Sequence, residues 1–113
     1  MNLIEDFTSA QLWTVRQILD ERWEDDKIEY KLADSEVRLF PADKELAQCP
    51  IIMWQVKNCN YVVIKSGINK FRCQFFYRSF QQYSTEKKEY DNIGDCIISM
   101  LKAQLIHQEK NEK

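Results

Sequence analysis

Residues 51–80 read IIMWQVKNCNYVVIKSGINKFRCQFFYRSF, and the punctuation of that stretch decides how the rest of the chain is arranged. Apolar runs at 51–54 and 61–64 and an alternating stretch at 70–78 are separated by Asn58-Cys59-Asn60 and by Ser66-Gly67-Ile68-Asn69. Asn and Gly accept the positive φ that tight hairpins demand, so the stretch predicts a three-stranded antiparallel meander. The first two strands are apolar at nearly every position, which predicts central strands covered on both faces over part of their length. The third alternates, with Phe71, Cys73, Phe75 and Tyr77 on one face and Lys70, Arg72, Gln74, Phe76 and Arg78 on the other.

Upstream of the meander, Thr8-Ser9-Ala10-Gln11 has the form of a capping box. Leu12, Val15, Leu19 and Trp23 come after it at helical spacing, predicting a helix from about Ser9 to Trp23 that ends against the acids of 24–26. Lys27 to Leu32 alternates charged and apolar side chains, Ala33-Asp34-Ser35 offers a turn, and Val37 and Leu39 resume the apolar face, so a hairpin is expected here. Pro41 stops its second strand, and 42–48 suits one short helical turn. Downstream, the polar 79–90 segment reads as a long connection. Asp91 is placed to cap a second helix, whose stripe is Ile93, Cys96, Ile97, Met100, Leu101 and Leu105. The expected fold is therefore α+β: an antiparallel sheet of about five strands (hairpin plus three-stranded meander) with an N-terminal and a C-terminal helix on one face.

The 113 residues fit a single domain, with residues 1–7 and 108–113 expected to fray. A hydrophobic content of 44% and a charged content of 30% suit a globular chain. The apolar runs fall far short of the roughly 20 residues a bilayer requires, so no membrane partner is expected. Glu5 and Asp6 stand where an export signal would carry basic residues, which points to the cytoplasm. There Cys49, Cys59, Cys73 and Cys96 are thiols, and their spacing lacks the Cys-x-x-Cys pairs of zinc ribbons. Residues 1–50 carry 12 acids against 6 bases and residues 51–90 carry 7 bases against 2 acids, so an acidic N-terminal side and a basic sheet side are expected.

Signatures of catalysis are thin. His107 is the only histidine and lies near a chain end. With only Gly67 and Gly94, no glycine-rich phosphate loop exists. Asp43 followed by Gln55-Val56-Lys57 has the outline of the PD-(D/E)xK nuclease pattern, with Gln in place of an acid; a Mg²⁺-dependent nuclease using Asp43, Gln55 and Lys57 is thus one alternative. The face of Lys70, Arg72, Gln74, Phe76 and Arg78 spaces successive side chains about 7 Å apart, with Phe76 placed to stack on bases and Lys70, Arg72 and Arg78 to meet phosphates, as in single-stranded nucleic-acid binders, a second alternative. A pI of 5.4 weighs against a polyanion partner.

These features together point to a small cytosolic accessory or adaptor protein without catalysis, cofactor or metal. It is expected to bind another protein through the aromatic and basic sheet face (Lys70, Arg72, Phe76, Arg78) or the helix face around Trp13, because aromatic and Arg side chains are the favoured anchors of interfaces. Homodimerisation through the same surfaces is the remaining option.

Overall fold

The computed structural model describes residues 4–38, 42, 44–78, 81–85 and 87–111. Helix α1 (Ser9–Arg22) starts at the expected capping box: Thr8 Oγ1 accepts the Gln11 N–H at 3.1 Å, and Gln11 Oε1 accepts the Thr8 N–H at 2.9 Å. Both bonds satisfy amides that the first helical turn leaves without partners. Val15 and Leu19 are buried. Arg16 anchors the segment beyond the helix, pairing with Asp20 at 2.8 Å and donating to the Ile28 carbonyl at 2.6 Å.

The sheet is antiparallel in the order β1 (Lys31–Val37), β2 (Ala47–Val56), β3 (Cys59–Gly67), β4 (Lys70–Arg78) and β5 (Gln81–Tyr83). Four strands are long and the fifth has three residues. With α1 and α2 (Ile93–Asn111), this is the expected α+β class. The meander is present as β2–β4, with Met53 opposite Val62 and Val62 opposite Gln74.

Several details differ from the sequence reading. No hairpin forms at 33–35; Ala33, Asp34 and Ser35 lie inside β1, opposite Ile51, Pro50 and Cys49 of β2. Their turn propensity is outweighed by a ladder of seven pairs along a β2 that starts at Ala47, so Ala47 and Gln48 are strand and not the end of a helical turn. Pro41 lies outside the described residues. The β2–β3 turn is Lys57-Asn58, not 58–60, and Lys57 adopts φ 55°. At the next turn Asn69, with φ 53°, takes the left-handed position in place of Gly67. The connection after β4 carries regular pairing: β5 pairs with β4, and Tyr90 exchanges two 2.7 Å backbone hydrogen bonds with Phe71. Asn92, not Asp91, caps α2, its Oδ1 accepting the Asp95 N–H at 3.1 Å. Helix α2 extends through 108 as far as Asn111, past the expected point of fraying.

Both helices lie over one face of the sheet. That face contributes Ile52, Trp54, Tyr61, Val63, Phe71, Cys73 and Phe75 to a core completed by Val15 and Leu19 of α1 and by Ile93, Cys96, Ile97, Met100 and Leu101 of α2. All four cysteines are buried free thiols. The N-terminal lead joins this side, with Phe7 stacked on Phe71 at 6.4 Å and the Asp6 carbonyl accepting from Lys65 Nζ at 2.7 Å. His107 packs among Phe75, Tyr77 and Tyr83, its ring 4.2 Å from that of Tyr83, so it has an aromatic setting rather than a frayed one.

Candidate functional site

The opposite face of the sheet, here the outer face, is where the basic and aromatic residues were expected. Cross-strand pairing sets its rows. Lys31, Met53, Val62 and Gln74 form one, Ala33, Ile51, Ile64 and Arg72 the next, and Gln55, Asn60 and Phe76 a third. Toward the start of β2 this face is closed, since Ala47, Cys49 and Ile51 are buried. Toward the Lys57-Asn58 turn it opens into a groove of about 280 Å³ lined by Glu29, Lys31, Met53, Gln55, Asn60, Val62 and Phe76. This matches the expectation that the first two meander strands are covered on both faces over part of their length.

The floor of the groove is apolar, made by the half-buried side chains of Met53, Val62 and Phe76. Polar groups sit at its ends. Asn60 Nδ2 donates to the Phe76 carbonyl at 3.3 Å, which holds the amide across the β3–β4 pair. Gln55 Nε2 donates to the Lys57 carbonyl at 3.2 Å. Lys31 and Glu29 border the groove from β1 and the residues before it, both exposed. An apolar floor with a few placed hydrogen-bonding groups is the usual composition of a recognition groove.

The expected cationic face is less open than its alternation suggested. Lys70 is exposed. Arg72 is half-buried, with Nε 3.2 Å from Glu89 Oε2, and the same oxygen accepts from Ser66 Oγ at 2.7 Å. Burial by itself would raise the Glu89 carboxyl, but the hydrogen bonds from Ser66 and Arg72 and the charges of Arg72 and Lys70 outweigh it and hold the group below its usual range. The neutralising acid comes from the segment before Tyr90 and not from the acidic N-terminal helix. Arg78 is on the same strand at the β5 end, where it pairs with Gln81.

Trp13 is 65% exposed on the side of α1 turned away from the sheet, so it and Phe76 lie on opposite sides of the molecule and do not form one surface. Asp43 lies outside the described residues. Gln55 lines the outer groove, whereas Lys57 lines a different concavity on the helix side. Among the described residues no group of three or more His, Cys, Asp or Glu side chains converges as a metal site. No helix among them is long and apolar enough to cross a membrane.

Met53 and Val62 are groove residues that the sequence reading did not single out, and Asn60, read there as a turn residue, lies in β3 and lines the groove as well. A signal was present: Gln55 and Asn60 interrupt otherwise apolar strands at positions that antiparallel pairing brings together, and adjacent polar residues on one face mark where that face meets water. The architecture defines a small α+β sheet-and-helix domain with an open groove on its outer face. No family model matches the chain, and neither a curated protein nor a solved structure matches it.

Proposed function

We propose that this is a cytoplasmic, non-enzymatic binding protein that seats a segment of another protein in the outer groove. The segment presents an apolar side chain to Met53, Val62 and Phe76 and flanking carboxylates to Lys31 and Lys70. The observation that carries this reading is the groove itself: half-buried apolar side chains on three neighbouring strands, open to solvent, on the sheet face that carries neither helix. Desolvating such a floor drives association, and the amides of Gln55 and Asn60 supply orientation. Acidic flanks are favoured because Lys31 is exposed at the groove and Lys70 further along the same face, against Glu29 alone among acids lining the groove.

The test is selection of peptides from a random library displayed on phage, against the full chain and against Phe76→Glu. Enrichment of sequences with an apolar residue flanked by Asp or Glu, lost on Phe76→Glu, is the expected result. No enrichment, or equal enrichment on both proteins, overturns the reading. So does tight binding of a mixed single-stranded oligonucleotide that falls steeply with salt and disappears in Phe76→Glu, which would assign the groove to nucleic acid.

A further inference from the structure

A second concavity opens on the helix side of the sheet, where the last turn of α1, the Lys57-Asn58 turn and the C-terminal turns of α2 meet. Its volume is about 480 Å³, within the range of small-molecule sites. Trp23, Tyr61 and Tyr77 give it aromatic walls, with the Trp23 ring edge-on to Tyr61 at 5.7 Å. Among the described residues, Arg22 and Lys57 bring two cations to the lining against the single carboxylate of Asp26.

Arg22 is the unusual member. Its Nε is buried and has no hydrogen-bond partner among the described residues, and its guanidinium lies 5.0 Å over the Trp23 ring. It forms no ion pair among those residues. A buried guanidinium donor without an acceptor is costly, and a carboxylate is the acceptor that guanidinium geometry fits best. The neighbouring polar groups are already committed: Gln104 Nε2 donates to the Tyr77 hydroxyl at 3.1 Å and to Gln108 Oε1 at 3.1 Å. Burial pushes the Cys59 thiol up, so it stays neutral and does not cancel the cations.

We propose that this pocket binds a small aromatic carboxylate, its ring against Trp23 and Tyr77 and its carboxylate on Arg22, with the Lys57 ammonium alongside. One excess positive charge in the lining matches a monoanion and leaves a dianionic phosphate undercompensated. The site is independent of the outer groove, from which the sheet separates it.

The experiment is an NMR titration of the isotope-labelled full chain with benzoate, in parallel with neutral benzamide and with inorganic phosphate. Benzoate is expected to shift the Trp23 indole and Gln104 side-chain amide signals saturably, with benzamide and phosphate weaker by about tenfold or more, the scale of a lost charge-assisted contact. Arg22→Gln is expected to lose benzoate binding by a similar factor while Phe76→Glu leaves it unchanged. Lys57→Asn, which keeps a residue tolerant of positive φ, gives a smaller loss and serves if Arg22→Gln does not fold. Equal binding of benzamide, shifts confined to the outer groove, phosphate binding as tightly as benzoate, or no saturable shift each overturns the assignment.

Discussion

Arg72 Nε stands 3.2 Å from Glu89 Oε2, so a cation on the basic face of β4 is tied to an acid 17 residues further along the chain. The same oxygen takes the Ser66 hydroxyl, which makes Glu89 the joint between the β3–β4 hairpin and the segment that leads into α2. The side chains of Arg72 and Glu89 are 16% and 32% exposed, so the pair is only partly screened by water.

This joint sets an acid-side stability loss. The Glu89 carboxyl titrates below its ordinary 4.5 in the folded protein, so its contribution is fully present above that value and is lost as the pH falls through the lower folded value. Glu89→Gln is expected to lower unfolding free energy at neutral pH by about 1 kcal/mol and to flatten the decline below pH 4.5. Urea unfolding followed across acid and neutral pH checks both. An unchanged acid limb in the variant counts against the joint.

Thr8→Ala removes the hydroxyl that accepts the Gln11 N–H and leaves the reciprocal Gln11 bond without its counterpart. A loss of about 1 kcal/mol is expected, with Thr8→Asp retaining most of the stability because Asp can accept the same amide. Thermal unfolding by circular dichroism distinguishes the two variants.

Ile97 is fully buried between α2 and the sheet, whereas Phe76 is half-buried in the open groove. Ile97→Ala should cost about 2–5 kcal/mol through lost burial and a residual cavity. Phe76→Ala should cost about 1 kcal/mol or less, since part of the ring already faces water. Equal costs would mean that the groove is part of the core.

Lys65 is 3% exposed on the helix side of β3, and its ammonium has the Asp6 carbonyl as acceptor at 2.7 Å. Taking an ammonium out of water is expensive, and the one neutral acceptor among the described residues offsets only part of that cost. Lys65→Met is expected to raise stability by about 1 kcal/mol while freeing the N-terminal lead. Denaturant titration reads the first effect, and faster protease cleavage before Thr8 reads the second.

The meander, both helices and the face assignment of β4 are legible in the sequence because each rests on local periodicity: alternation at 70–77, helical spacing at 12–23 and 93–105. The turn expected at 33–35 fails for the opposite reason. Ala-Asp-Ser favours a turn in isolation, but Ala33, Asp34 and Ser35 extend when β2 offers a ladder from Ala47 onward, and that pairing partner lies far along the chain. Asn92 and Asp91 are equally good caps on paper, and only the start of α2 chooses between them.

By itself the sequence determined the class of the domain, the residues that face inward on its helices and β4, and the burial of its thiols at Cys73 and Cys96. Tertiary structure decided the surroundings of each outward residue. Glu89 reaches Arg72 because Tyr90 docks beside Phe71, the outer groove exists because both helices chose the other face, and Arg22 and Lys57 line one concavity because α1 ends near the β2–β3 turn. Periodicity reports which side of an element is apolar, but charge pairing and concavity depend on which distant segment comes to lie against it.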